Sequence, residues 1–152
     1  MKALNVANDR RLLLTSCSAK KHRGNGLRAI DRYDGPAFKI IRKYADPNLN
    51  VLILSAKYGL VHADDIIPWY EQKMTLQNAV KIRLDTTTKL QAILLNGNYD
   101  SMLVNLGKVY LEAVDWETLG YKGTIIQTEG PIGVRLHQLK CWVNMESEGS
   151  EI

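Results

Sequence analysis

The feature that most constrains the fold is a run of four apolar residues, Val51 to Leu54, which polar side chains follow at once. An uninterrupted apolar run of this length is typical of a strand that is buried on both faces of a sheet. In open α/β sheets, the loops that leave the carboxyl ends of the strands form the binding crevice. The sequence therefore predicts a functional site directly after this strand, and the alternative is a polar surface turn.

Three other segments resemble this strand, and helical patterns alternate with them. Strands are predicted at 11–16, 51–54, 101–106 and 124–128. Helices are predicted after Pro36, over 76–94, from 108 to about 116 and over 132–143. In the long helix, the spacing predicts one inward amphipathic face, formed by Leu76, Val80, Leu84, Thr87, Gln91 and Leu94. Strands that alternate with helices indicate a mostly parallel sheet covered on both faces. The predicted fold class is α/β: a single three-layer α/β/α domain with a four-stranded, mostly parallel sheet.

Length and composition bound the number of domains and the kind of partner. A chain of 152 residues, 45% of them hydrophobic, can form one core but not two comfortable domains. We expect a leader at 1–10, the domain at 11–144 and a disordered acidic tail at 145–152. The formal net charge of +4 permits a polyanionic partner. Because no apolar run could span a bilayer and no signal-peptide pattern is found, we expect no membrane association and a cytoplasmic location. The oligomeric state stays open.

The cysteines and histidines do not predict a metal site. Cys17 and Cys141 are too few and too far apart for a disulfide framework or a Cys-x-x-Cys site, and the histidines are scattered. The loop at 16–26 is basic and contains glycines, but it lacks the spacings of nucleotide-binding loops. We therefore expect neither a metal nor a cofactor.

Polar side chains at the strand exits are the candidate site residues. Because the carboxyl ends of parallel strands meet at one edge of a sheet, these side chains should gather there. In particular, Asp65 is expected to share a pocket with Ser55 and Lys57. The full set is Ser16, Cys17, Lys20, Ser55, Lys57, Tyr58, Gly59, Asp64, Asp65, Tyr70, Asn105, Lys108 and Tyr110.

The central motif resembles a known family. The residues that carry the resemblance are Leu54 to Gly59, Asp65, Ile67, Tyr70 and Met74. They resemble the L-S-x-x-Y-G…D-x-I…Y…M signature of the YaaA-type peroxide-stress proteins. The match is closer still to a group of small bacterial and phage proteins of unassigned activity. The segments shared with that group are S-C-x-x-K at Ser16 to Lys20, Tyr33 and Phe38, Leu54 to Leu60, G-K-x-Y at Gly107 to Tyr110, and Gly130 to Leu139. In outline, the resemblance covers residues 11 to 143.

The resemblance implies a role on DNA. YaaA-type proteins are linked to DNA binding and to protection from oxidative DNA damage. The order of elements is similar to that of uracil-DNA glycosylase-like domains, some of which excise modified bases. The chain lacks the G-Q-D-P-Y-H motif and the late H-P-S-P-type segment of uracil-DNA glycosylases. Uracil is therefore not the expected substrate, and the catalytic residues of those enzymes cannot be transferred to this chain.

The leading functional hypothesis is a DNA glycosylase-like enzyme that hydrolyses the N-glycosidic bond of a modified or damaged base. A carboxylate, Asp65 or in its place Asp64, would stabilise the sugar cation or orient water. Ser55 and Lys57 complete the catalytic candidates, and an amine could donate to the leaving base or attack the sugar. The remaining lysines would hold phosphates, and a tyrosine would stack on an extruded base.

Alternatives remain open both for single residues and for the whole protein. Asp65 could cap a turn or pair with Lys57 instead of acting in catalysis, and Trp69 and Tyr70 could simply pack against the long helix. The protein could be a non-catalytic DNA-binding stress-response protein. It could also be a hydrolase that processes free nucleosides or nucleotides.

Overall fold

The structure is a computed structural model that describes residues 10–145. Apart from Arg10 and Met145, the predicted leader and the predicted acidic tail lie outside the described residues. The strands are β1 (Arg11–Ser16), β2 (Asn50–Ser55), β3 (Gly59–His62), β4 (Ser101–Asn105) and β5 (Thr124–Gln127). The helices are α1 (Ala29–Arg32), α2 (Pro36–Tyr44), α3 (Leu76–Gly97), α4 (Lys108–Leu111) and α5 (Ile132–Val143).

The strands form one five-stranded mixed sheet in the order β3-β2-β1-β4-β5. β1 lies parallel to β2 and β4, β5 lies parallel to β4, and β3 lies antiparallel to β2. Alternate residues of β1 point to two hydrophobic clusters: Leu12 and Leu14 pack with α3, whereas Leu13 packs with α1, α2 and α5. The predicted α/β class with helices on both faces is confirmed, but the sheet has five strands and not the predicted four.

The fifth strand, β3, lies where the sequence predicts a polar loop. Gly59 begins it with φ at 73°, a conformation that favours glycine, and turns the chain back along β2. Leu60 packs in the cluster under α3, and Val61 packs in the cluster on the other face. Because β3 is short and both central residues are apolar, it shows no polar alternation from which a strand could be predicted.

Helix α3 begins at the predicted residue, and only part of its predicted inward face packs: Thr87 and Leu94 are buried as predicted. Leu76, Val80 and Leu84 are 56%, 48% and 80% exposed, so the prediction that they face the core is wrong. The residues of α3 that are buried are Ala79, Thr86, Thr87, Leu90 and Leu94. The Thr87 hydroxyl accepts the backbone N–H of Asp115 at 2.9 Å, which satisfies its oxygen inside the core.

Candidate functional site

The carboxyl ends of β1, β2 and β4 bring most of the candidate residues to one edge of the sheet. Ser16 and Ser55 end β1 and β2, and Asn105 ends β4. Cys17 follows β1 and is half-buried, and its Sγ lies 3.2 Å from the hydroxyl of Tyr110 on α4. We call this region the carboxyl edge, meaning the end of the sheet at which its parallel strands finish and not one of its outermost strands. The prediction that these strand exits meet there is confirmed.

The hydroxyl of Ser55 is fully committed to internal hydrogen bonds. It is buried, and its Oγ accepts the backbone N–H groups of Lys57 and Tyr58 at 3.2 and 3.0 Å. It also lies 2.8 Å from the hydroxyl of Tyr70. A serine hydroxyl has one hydrogen and two lone pairs. Since both lone pairs are occupied by N–H donors, Ser55 donates its hydrogen to Tyr70. Ser55 thus fixes the turn that presents Lys57 and Tyr58.

Tyr70 continues this row of hydroxyls to Tyr33. The two phenol oxygens are 2.7 Å apart, and both rings are buried. The ring of Tyr58 meets Tyr70 edge-on at 5.3 Å between centroids and is only half-buried. Tyr70 is therefore covered by protein and not exposed for stacking on a base, whereas Tyr58 and Tyr110 keep exposed surface.

Tyrosine phenols are neutral at pH 7, and burial extends the neutral form of these three to more alkaline pH. Desolvation raises the pKa of Tyr33 to about 12 and raises the pKa of Tyr70 and Tyr110 above the ordinary value of 10.0. A neutral phenol keeps its hydrogen and can donate a hydrogen bond. The carboxyl edge therefore contains hydrogen-bond donors that retain their protons at neutral pH.

Cationic side chains surround the phenols. Lys20, Lys57 and Lys108 are exposed. The ammonium of half-buried Lys21 lies 4.4 Å from the ring centroid of Tyr70, and the guanidinium of Arg23 lies 4.2 Å from that of Trp69. Lys57 similarly lies 5.4 Å from the ring of Tyr58. Within residues 10–145, none of these five cations forms an ion pair.

Asp64 and Asp65 lie at the opposite edge of the sheet. β3 runs back along β2, so that His62 pairs with Leu52, about 10 Å along the strand from Ser55 at roughly 3.3 Å per residue. The Asp65 carboxylate accepts the backbone N–H of His62 at 2.9 Å and caps the turn. The expectation that Asp65 shares a pocket with Ser55 and Lys57 is therefore wrong, because the antiparallel strand carries it away.

Asp64 has a structural partner at this opposite edge, which we call the amino edge. Its carboxylate lies 3.0 Å from the guanidinium of Arg28, which also holds Asp31 at 2.9 Å. All three side chains are at least partly exposed to solvent. The catalytic role predicted for Asp64 and Asp65 stays a prediction, and their position supports the turn-capping alternative.

The candidate residue Asn105 lies in a second buried polar row at the carboxyl edge, whose other members, Thr15 and Thr128, were not among the candidates. The amide of Asn105 donates to the Thr15 hydroxyl at 3.0 Å, and the Thr128 hydroxyl donates to the amide oxygen of Asn105 at 2.8 Å. Arg135 on α5 approaches Thr128 at 3.5 Å. Thr15 lies at the end of β1 and Thr128 directly after β5, a position that could have identified them. Tyr33 carries part of the family resemblance, but it was not among the candidate site residues because it lies in a turn-like Tyr-Asp-Gly-Pro segment.

The described part of the chain shows neither a cluster of metal ligands nor a membrane span. Among residues 10–145, no three His, Cys, Asp or Glu side chains lie close enough together to hold a metal ion. No helix in the same range is both long and apolar enough to cross a membrane.

Comparison with known proteins identifies a solved structure with a similar fold and the family to which the chain belongs. The crystal structure of AF0587, described as a protein of unknown function, is similar with a TM-score of 0.55 at 13% sequence identity. The match covers 97% of this chain and 50% of AF0587, so the chain spans about half the length of that protein. The comparison with curated proteins gives no match. A family model matches residues 12–141, and the chain therefore belongs to the family of unknown function DUF6884.

Proposed function

We propose that this protein binds nucleic acid, DNA in the first place, through the carboxyl edge of its sheet. The observation that carries the proposal is the set of five cationic side chains there that lack ion pairs in the described chain. Lysine and arginine side chains that neutralise phosphates supply most of the non-specific affinity for nucleic acid. Cations without an internal carboxylate partner can bind phosphate without first breaking an ion pair.

Aromatic rings next to the cations strengthen the proposal. Tyr58, Trp69 and Tyr110 are half-buried, so each ring is held in place by the protein and keeps exposed surface. Single-stranded nucleic acid is bound by grooves that combine backbone-neutralising cations with rings on which bases stack. We also propose that the fold is related to uracil-DNA glycosylase-like domains, on the basis of its parallel strands β2, β1, β4 and β5. A cytoplasmic location would fit this role.

Cleavage of an N-glycosidic bond is the second candidate, and the neutral phenols favour it. In such a reaction water attacks the anomeric carbon, and the base departs with the bonding electrons. Phenol donors such as Tyr110 could stabilise the departing base, and Tyr58 could stack on it. The same donors could act on a free nucleoside or nucleotide. Because Asp65 lies at the amino edge, a reaction at the carboxyl edge would use a different carboxylate or no carboxylate. Asp65 could take part only if the substrate also reached the amino edge.

Salt-dependent binding tests the first proposal. We expect the double variant Lys57→Gln/Lys108→Gln to bind fluorescent single-stranded and duplex DNA more weakly. For each phosphate that the variant no longer neutralises, the slope of log affinity against log salt should fall in magnitude by about 0.9 on duplex DNA and by about 0.7 on single strands. The matched control is Lys89→Gln, since Lys89 is exposed on α3 and already lies 3.3 Å from Asp85. Unchanged affinity and slope in the double variant would contradict the proposal.

A cleavage assay on modified DNA separates binding from catalysis. Purified wild type, Asp65→Ala and Tyr110→Phe are incubated with DNA that carries normal, oxidised or phage-type modified bases, and abasic sites are then cleaved with alkali. Cleavage that survives Asp65→Ala but not Tyr110→Phe would support chemistry at the carboxyl edge. Cleavage that disappears in Asp65→Ala would support the carboxylate mechanism. If none of the DNA substrates is cleaved, only the proposed role in DNA binding remains.

A further inference from the structure

A tryptophan and an arginine form an open stacked pair at the carboxyl edge. The guanidinium of Arg23 lies 4.2 Å from the ring centroid of Trp69. Trp69 is half-buried, whereas Arg23 is exposed and has no ion pair within residues 10–145. The attraction between a guanidinium and an indole face is modest at an exposed site. A flat ligand can therefore displace Arg23 from the ring without breaking an ion pair.

Trp69 differs from the other half-buried rings because it does not pack in the core. Tyr58, Tyr110 and Trp116 each pack against one of the two hydrophobic clusters, and in the described part of the chain Trp69 belongs to neither. The indole N–H of Trp116 donates to the carbonyl of Leu111 at 3.0 Å. The indole N–H of Trp69 has no hydrogen-bond partner within residues 10–145. Since a covered indole usually finds a partner, Trp69 keeps both a ring face and a donor for a ligand.

A buried arginine holds the two segments of the stacked pair together. Arg32 is 1% exposed, and its guanidinium donates to the carbonyl of His22 at 2.8 Å and to that of Ile67 at 2.9 Å. His22 directly precedes Arg23, and Ile67 lies two residues before Trp69. The backbone N–H of His22 donates in turn to the carbonyl of Arg32 at 2.8 Å. The segments are thus positioned before a ligand binds, which lowers the entropy cost of binding.

We propose that Trp69 stacks on one unpaired base, so that its ring contributes to the binding of single strands and not of duplexes. This inference rests on the proposed binding of nucleic acid at the carboxyl edge. The base takes the position of the Arg23 guanidinium over the ring, and Arg23 moves to the adjacent phosphate. Bases within a duplex are covered on both faces by their neighbours, whereas the bases of a single strand can stack on an aromatic side chain.

Oligonucleotides with and without bases test the proposal. The probes are a fluorescent single strand of DNA, a strand of the same length in which every position is abasic, and the duplex of the first strand. Because the abasic strand keeps its phosphates, the ratio of the two single-strand affinities measures base contacts. The wild type should bind the normal strand at least about fivefold more tightly than the abasic one. Equal affinities would overturn the stacking and leave phosphate binding intact, whereas no binding of any probe would contradict the proposed function as well.

Substitution of Trp69 assigns the stacking to this ring. Trp69→Leu should bind the normal strand at least about fivefold more weakly, and its affinities for the abasic strand and the duplex should change by less than about twofold. Trp69→Phe keeps an aromatic face and should retain part of the difference. The matched control is Trp116→Leu, which removes an indole that packs in the core and should leave the affinity ratio unchanged.

The affinity ratio separates stacking from stability. A variant that is partly unfolded binds both single strands more weakly by the same factor, so its ratio stays that of the wild type. An unchanged ratio in Trp69→Leu would therefore overturn the proposal. An equal loss of single-strand and duplex affinity in this variant would overturn it too, because the ring would then contact the backbone and not a base.

Discussion

The two edges of the sheet use charge in opposite ways. At the amino edge, Arg28 is paired with Asp31 and Asp64 at 2.9 and 3.0 Å, so its charge is balanced within the molecule. At the carboxyl edge, lysines such as Lys57 and Lys108 are exposed and have no carboxylate partner among the described residues. An edge whose charges are already paired gains little from an anionic ligand. The difference supports the carboxyl edge, and not the amino edge, as the proposed binding surface.

The edges also differ in how their polar groups are held. The carboxyl edge buries its hydroxyls in rows that no solvent reaches, with Ser55 and Thr15 both fully buried. The amino edge holds its turn with the exposed carboxylate of Asp65. Removing a buried partner leaves other groups unsatisfied, whereas water replaces an exposed one. Substitutions at the two edges should therefore differ in their effect on the free energy of unfolding.

The largest effect is expected for Ser55→Ala. This change leaves two backbone N–H groups and the Tyr70 hydroxyl without their partner, and we expect a loss of about 3 kcal/mol in the free energy of unfolding. Urea denaturation followed by circular dichroism measures it. The control is Thr88→Ala, because the Thr88 hydroxyl is exposed and only donates to the carbonyl of Leu84. Equal free energies of unfolding in the two variants would contradict the expectation that a buried hydroxyl contributes more to stability than an exposed one.

The second-largest effect is expected from alkaline pH, which should lower the free energy of unfolding through the buried phenols of the carboxyl edge. Burial favours neutral Tyr33, whose pKa is about 12 in the folded protein against 10.0 for an ordinary tyrosine. Between these values the unfolded chain has lost the proton and the folded chain has kept it, so stability falls as pH rises from 10 to 12. The slope is about 1.4 kcal/mol per pH unit for each such group, and below pH 10 this contribution is complete. The raised pKa of Tyr70 and Tyr110 acts in the same direction.

Denaturation midpoints across this pH range, for wild type and Tyr33→Phe, measure the effect. The variant lacks the titrating phenol and should show a shallower decline. Parallel curves for the two proteins would contradict the assignment.

Reversal of one charge at each edge should show which of the two edges contributes to DNA affinity. Lys57→Glu should weaken binding by about tenfold at low salt, because it replaces an attraction to phosphate with a repulsion. Arg28→Glu should leave binding nearly unchanged, although it should cost stability beside Asp31 and Asp64. Fluorescence anisotropy measures both affinities. Similar losses in the two variants would show that binding follows net charge and not the carboxyl edge.

The smallest effect is expected for Asp65→Ala. The exposed carboxylate makes one hydrogen bond to the backbone N–H of His62, and its loss should cost about 0.5–1 kcal/mol. DNA affinity should stay the same or rise slightly, because a negative charge is removed. Thermal unfolding and anisotropy measure the two quantities, with Asp65→Asn as the control that keeps a hydrogen-bond acceptor. A large loss of DNA affinity in Asp65→Ala would contradict this expectation and indicate that Asp65 belongs to the functional site.

Sequence patterns predicted the elements with strong periodicity. β1 was predicted at its observed bounds, and the apolar run of β2 was found because its core is buried on both faces. Pro36 begins α2 as expected, since the first turn of a helix tolerates proline. The inward face of α3 was predicted in part. Thr87 and Leu94 are buried as the spacing indicates, but Ala79, Thr86 and Leu90 are buried in place of the predicted Leu76, Val80 and Leu84.

The candidate site was predicted in part, for a topological reason. Residues at or just beyond the carboxyl ends of parallel strands, such as Cys17, Ser55 and Lys108, came together because strand direction fixes where a strand ends. Asp65 is only ten positions after Ser55, and an antiparallel strand of four residues lies between them. Closeness along the chain does not reveal such a reversal. Tyr33 was missed because its neighbour Tyr70 is distant in sequence.

The hydroxyl row from Ser55 through Tyr70 to Tyr33 has a built-in direction. Because the two backbone N–H groups occupy the lone pairs of Ser55, its hydrogen must point to Tyr70, and the hydrogen of Tyr70 must then point to Tyr33. The row therefore couples its two ends in both directions: loss of a hydroxyl at either end changes the hydrogen bonds that the next hydroxyl can make, so the turn at Lys57 and the buried Tyr33 depend on each other.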